Sequence, residues 1–365
     1  MRIKTTISSS LLAAAALALV PHAASAWSPK LEVSETTWVQ LGYLHQFWYQ
    51  SVDDGAASGD DRSNEFFTRR NRVMLLGQAT DSIWFFLNYD AASGSGAGAR
   101  QDPVLTDAMI DFRINPAFNV VVGRQLVPFS IDNNTSAVTL TGIDYPTRAL
   151  ANLPTNPSGA FWRDDGIVVR GLLGDGMFDY RVGYFQGVRD GATNSEAEGR
   201  FTGMVMVNLA SPQGGWFFNQ NSLGALDVLS FGVGYDQMSR SDTDDHKAFS
   251  VFFTAEKTLG AGHLSANAAY YDWEGVGGPT NAFWNGGSTS VLALAFQPSG
   301  SKWQPVLRWQ NQDPDDGEKL DTIGIGLGYY ISGHRANIKA EYSIDDQFIG
   351  GSKKDAFRIQ TQLFF

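Results

Sequence analysis

The feature that most constrains this chain is an alternation of polar and apolar residues, of period two, that recurs from residue 36 to the last residue. It is clearest over residues 335–345. There Ala336, Ile338, Ala340, Tyr342 and Ile344 fall on one face, and Arg335, Asn337, Lys339, Glu341, Ser343 and Asp345 on the other, because successive side chains of a strand point to opposite sides. In residues 104–114, Ala108, Ile110 and Phe112 oppose Asp107, Asp111 and Arg113. In residues 177–188, Phe178, Tyr180, Val182 and Tyr184 share a face. Weaker segments at 36–49, 65–80, 83–90, 119–127, 165–173, 200–209, 228–240, 247–259, 263–273, 286–296, 303–311, 319–331 and 355–365 bring the expected number of strands to sixteen.

One face of such strands suits lipid and the other water, the pattern of a transmembrane antiparallel β-barrel. No run of about 18 apolar residues follows Val20, so a membrane-spanning helix is not expected. Tight turns at Asn115-Pro116-Ala117, Gly174-Asp175-Gly176, Gly260-Ala261-Gly262 and Ser332-Gly333-His334 alternate with longer polar connections such as 50–64 and 91–103. An even strand number places both termini on the periplasmic side. Residues 210–227 break the rule. They stand where a short turn belongs and contain Trp216, Phe217 and Phe218, so a missed hairpin leaves the strand number between fourteen and eighteen.

The ends of the chain point the same way. Arg2 and Lys4 precede the apolar run from Leu11 to Val20 and the small residues Ala24, Ser25 and Ala26, the order of an export signal. Residues 1–26 are expected to be removed, leaving a barrel domain over 27–365. The final segment carries Phe357, Ile359, Leu363 and Phe365 on one parity and resembles the signal read by the barrel-assembly machinery of Gram-negative bacteria. The expected location is their outer membrane.

Composition excludes other classes. The formal charge is −11, and loss of Arg2 and Lys4 takes it to −11 − 2 = −13, which disfavours nucleic acid. There is no cysteine, which excludes disulfides and thiolate metal sites. The four histidines beyond the signal, His45, His246, His263 and His334, fall in no nucleophile motif or metal-ligand spacing. Neither enzyme activity, metal nor cofactor is expected. Acidic runs at Asp53-Asp54, Asp60-Asp61, 241–245 and 313–318 fall in expected extracellular loops, where carboxylates meet lipopolysaccharide through divalent cations or stay solvated.

Five segments in series resemble the family of phosphate-selective porins O and P. They are Arg69-Arg70-Asn71-Arg72-Val73, Leu87-Asn88-Tyr89-Asp90, Asp107-Ala108-Met109-Ile110-Asp111, Gly123-Arg124-Gln125-Leu126-Val127-Pro128-Phe129 and Arg163-Asp164-Asp165-Gly166-Ile167. The fourth is similar to the family's Gly-Gln-Phe-Lys-x-Pro-Phe segment. The resemblance implies a sixteen-stranded homotrimeric channel whose third extracellular loop folds into the lumen. Residues 128–162, after the fifth barrel strand, are long enough to be that constriction loop. The chain departs from the pattern where Leu126 stands for the family's Lys and Arg124 for a position usually held by Gln, so strong phosphate specificity is not expected.

On this reading the lumen wall carries Arg70, Arg72, Asp107, Asp111, Arg113, Lys339, Glu341 and Arg358, and the loop contributes Asp132, Asp144 and Arg148. Arg70 and Arg72 share a strand face. They either set up a positive field for anions or brace the wall by pairing with carboxylates such as Asp107 or Asp111. The parity of Arg124 is ambiguous. The expected function is a passive, water-filled porin for small hydrophilic solutes or ions, with anions such as phosphate among the candidates. The alternative is an adhesin or structural barrel without transport, which would not need charged lumen positions on so many strands.

Overall fold

Alternation of this kind satisfies backbone hydrogen bonds in lipid only if the sheet has no free edge, and the computed structural model shows that closure. It describes residues 28–91, 102–146, 150, 153, 162–187, 199–239, 245–275, 286–349 and 352–365. The expected signal segment and Arg148 lie outside the described residues.

A two-residue strand β1 (Leu31–Glu32) pairs with the start of β2 (Trp38–Val52). There follow β3 (Ser63–Thr80), β4 (Ile83–Asp90), β5 (Val104–Asn115), β6 (Phe118–Leu126), one helical turn α1 (Ile131–Asn134), β7 (Arg163–Leu173), β8 (Phe178–Phe185) and β9 (Arg200–Asn208). The second half holds β10 (Val228–Met238), β11 (His246–Leu259), β12 (Gly262–Glu274), β13 (Gly287–Pro298), β14 (Trp303–Pro314), β15 (Leu320–Ser332), β16 (Ala336–Ile349) and β17 (Ser352–Phe364). Each strand from β2 onward pairs antiparallel with the next. β17 returns to β2, from Ala356 opposite Val52 to Phe364 opposite Leu44. The barrel strands β2–β17 are the sixteen expected, and the connection 209–227 holds no further strand among its residues.

Burial is inverted relative to a water-soluble domain. Large apolar side chains lie outside, Ile325 being 62 % exposed, while charged ones such as Asp107 at 0 % lie inside. In β16, Ile338, Tyr342 and Ile344 are exposed, and Asn337, Lys339, Glu341 and Ser343 are buried. The outward band is the surface a bilayer covers.

With an even number of strands the connections alternate between two mouths. The short ones, such as 116–117 between β5 and β6, share one mouth with the chain ends. The connection 127–162 leaves from the other. By this alternation 209–227, joining β9 to β10, belongs to the short-turn mouth.

Candidate functional site

The lumen is shaped by two inserted segments, and the first begins where the β6 ladder fails. Gly123 adopts φ +113, and a Cβ there would meet the Ala108 carbonyl oxygen at 2.2 Å, so only glycine allows this strand its irregularity. Beyond Leu126, Pro128 has no N–H to continue the pairing. Ser130 then caps α1, its hydroxyl accepting from the Asn133 amide while the Asn133 side chain accepts from the Ser130 amide, a reciprocal capping arrangement.

The residues flanking this turn read as a core. Leu126, Val127, Phe129, Ile131, Val138 and Leu140 are buried together with wall residues that include Leu44, Met74 and Phe86. Polar contacts tie the segment around the ring. Its Ala137 carbonyl accepts from Gln46 at 3.1 Å, Pro128 from Thr202 at 2.7 Å and Phe129 from Ser250 at 2.7 Å. Lys339 Nζ donates to the carbonyls of Leu140 at 2.6 Å and Gly142 at 2.9 Å. Residues 127–146 therefore lie inside the barrel, fastened to strands as distant as β2, β9, β11 and β16.

Asp144 is the point at which this segment meets the basic run of β3. Its carboxylate accepts from Arg69 Nε at 2.8 Å and Arg70 Nη2 at 2.5 Å, and Arg70 also donates to Gln46 at 2.7 Å. Neighbouring residues of a regular strand face opposite sides, but a register shift opposite Gln46 and Phe47 makes Arg69 the extra residue. Such a bulge re-aims side chains, and both arginines reach one carboxylate. Burial alone would raise the Asp144 carboxyl, but the two guanidiniums outweigh it and hold the group below the ordinary carboxylate range.

The other expected wall residues are paired across neighbouring strands. Arg72 donates to Asp90 at 2.8 Å. Asp107 accepts from Asn88 at 2.9 Å and from Arg163 at 3.2 Å. Asp111 accepts from Arg170 at 2.8 Å and from Arg113 at 3.0 Å, and Arg113 lies 3.7 Å from the Trp84 ring centre. Glu341 accepts from Arg308 at 2.8 Å, and Arg358 meets both Gln50 and Asp346. The carboxylates paired with Arg70 and Arg72 are thus Asp144 and Asp90, not Asp107 or Asp111. Arg124 pairs bidentately with Asp165 at 2.6 and 3.0 Å. Asp165 shares the parity of exposed Ile167, so that pair sits on the outward face.

Asp132, on α1, has a different environment. It accepts from Tyr271 at 2.5 Å and Gln220 at 2.7 Å. Burial pushes its carboxyl up to about 6, with the hydrogen bond from Tyr271 and the charge of Arg308 opposing that rise.

The second inserted segment is 209–227. Arg181 donates to the carbonyls of Trp216 at 2.7 Å and Gly215 at 2.9 Å, and Phe217 meets Phe86 with ring centres 5.5 Å apart. Further along the segment Ser222 donates its amide and hydroxyl to Glu256 at 2.7 Å. Asn221 donates to Gln304 at 2.8 Å, and His334 Nε2 lies 2.7 Å from the Asn221 carbonyl. The two segments meet where Phe218 N donates to Asn134 O and Ser136 N to Phe218 O, both at 2.9 Å. A small space remains beside them, bounded by Asp132, Asp144, Gln220, Asn267, Arg308 and Gln310. Arg69, Gln220, Asn267, Arg308 and Gln310 are members that sequence reasoning missed. Arg69 belongs to the basic run already singled out, whereas nothing local marks Gln220.

Comparisons with known proteins agree with this architecture. The model of the family phosphate-selective porin O and P matches residues 39–278. No protein with a curated description matches the chain by sequence. Among solved structures, an anion-selective porin from Comamonas acidovorans is 13 % identical, with TM-score 0.60 over 90 % of this chain and all of its own. The outer membrane channel DcaP of Acinetobacter baumannii is 13 % identical, with TM-score 0.61 over 93 % of this chain and all of its own. The trimer form of OmpT from Vibrio cholerae is 14 % identical, with TM-score 0.55 over 91 % of this chain and all of its own. At these identities the structures testify to a shared fold, and the family match supplies the lineage. With its closed sixteen-stranded barrel and charged lumen, the chain belongs to the phosphate-selective porin O and P family and is a porin, an outer-membrane channel for ions or small solutes.

Proposed function

We propose that the channel is a passive one for small hydrophilic solutes, weakly anion-preferring and without strong phosphate specificity, and that residues 127–146 form its constriction. The observation that carries this reading is the cluster at Asp144. Arg69 and Arg70 share that single carboxylate, and Lys339 reaches the adjoining carbonyls, so positive charge exceeds negative where the inserted segment meets the wall. The excess is local. Arg72, Arg163, Arg170, Arg181, Arg200, Arg308 and Arg358 each have a carboxylate partner, and a strongly phosphate-specific path needs cations that are not already matched. Leu126 is buried at the root of the inserted segment and Arg124 faces outward, so neither offers a cation to the lumen.

The rest of the reading concerns where the protein works. Removal of residues 1–26, insertion by the barrel-assembly machinery and residence among lipid and lipopolysaccharide of a Gram-negative outer membrane follow from the signal-like start and terminal strand. The trimer form of OmpT supports a homotrimer. Family and fold are those of a channel rather than an enzyme. The reversal potential of reconstituted protein in a salt gradient tests the ion preference.

A further inference from the structure

The connection 209–227 is too long and too firmly held to be a surface turn. It leaves the short-turn mouth, yet Trp216, Phe218, Asn221 and Ser222 are buried. Its backbone is gripped by Arg181 of β8 and by Glu256 of β11. The Gln220 carbonyl accepts from Ser265 at 2.7 Å and Asn267 at 3.1 Å. With Phe217 packed on Phe86 of β4 and Asn221 bonded to Gln304 of β14, six strands apart around the ring, the segment crosses the lumen. Its aromatic residues pack toward β4 and β8, and a space lies against β12–β14, where Asn267, Arg308 and Gln310 meet Asp132, Asp144 and Gln220.

We propose that residues 209–227 are a second constriction, inserted from the mouth opposite the first, and that solutes cross the slot between the two segments and β12–β14, with Gln220 a selectivity-determining residue. This rests on the channel reading and adds the position and makeup of the narrowest passage. The slot is lined by side-chain amides together with two carboxylates and a guanidinium, so it suits compact solutes that hydrogen-bond, such as small monovalent ions and short polyols, and rejects bulky or strongly charged ones.

The backbone of Gln220 anchors the segment and its side chain faces the slot through Asp132, so the side chain can be changed without releasing the anchor. The test uses the full chain in planar bilayers. Gln220→Lys should raise the anion-to-cation permeability ratio about threefold at low salt, and Gln220→Glu should lower it by a similar factor, since a charge at a narrow point acts oppositely on the two ions. Replacing residues 213–219 by a short glycine-serine turn should raise single-channel conductance at least about twofold. A parallel variant lacking residues 135–142 of the first segment serves as the comparison. If that variant conducts more while both Gln220 variants keep the parental ratio, the second constriction is refuted and the channel reading stands. If the parent itself passes no current, both readings fall together.

Discussion

Replacing Asp144 by Asn removes the one carboxylate shared by Arg69 and Arg70 while preserving an oxygen that accepts from the Tyr145 amide. The cluster then carries two unpaired guanidiniums beside Lys339, and a passing ion sees one more positive charge. At roughly 6 Å and an effective dielectric of about 80, that charge is worth about 0.7 kcal/mol. The sign is favourable for an anion and unfavourable for a cation, so the preference changes by about 1.4 kcal/mol, or about tenfold. At 0.15 M salt the screening length is about 8 Å, which roughly halves the energy and leaves a change of about threefold. The assay is the reversal potential of single reconstituted channels in a KCl gradient, repeated at low and high ionic strength. Arg70 is buried and in the variant keeps Gln46, the Tyr145 ring and a neutral amide oxygen in place of the carboxylate, so resistance to unfolding by heat in detergent should be recorded alongside. A folded Asp144→Asn channel with parental selectivity at low salt would refute the reasoning, since the ion path would then not pass this cluster.

Two further substitutions probe the same field. Arg70→Gln with Arg72→Gln removes two charges but leaves Asp144 paired to Arg69, so the barrel should still assemble while the permeability ratio moves toward cations. Loss of assembly, or an unchanged ratio at low salt, would contradict this. Asp132 should make stability depend on pH. Its folded carboxyl lies near 6 against an ordinary 3.8, so the folded state holds the proton more tightly. The stabilising contribution is fully present below about 4 and is lost as pH rises toward 6, a difference of about 3 kcal/mol. The heat-modified gel shift of detergent-solubilised protein should occur at lower temperature at pH 7 than at pH 4, and Asp132→Asn should flatten that difference. A variant with the parental pH dependence would mean another group is responsible.

The strands were legible because lipid and lumen impose opposite demands on alternate residues, and β16 obeys them nearly throughout. Residues 210–227 were not, since an aromatic run such as Trp216-Phe217-Phe218 reads locally like part of a strand and its burial depends on Phe86 and Arg181, far away in the chain. Charge partners were equally hidden. Arg72 meets Asp90 because the β3 register places them opposite one another, and Arg69 joins Arg70 only because of the bulge. Asp144 reaches both from a segment that no strand periodicity describes. Arg124 was ambiguous for a related reason, as the irregularity at Gly123 disturbs the parity that would have pointed it outward.

The most direct test of a weakly anion-preferring porin whose lumen cations are largely matched is the zero-current potential of the reconstituted parent in a KCl gradient, read before and after phosphate is added. The expected result is an anion-to-cation permeability ratio modestly above one, with chloride current little reduced by millimolar phosphate. A strongly cation-selective channel, or block by micromolar phosphate, would contradict it.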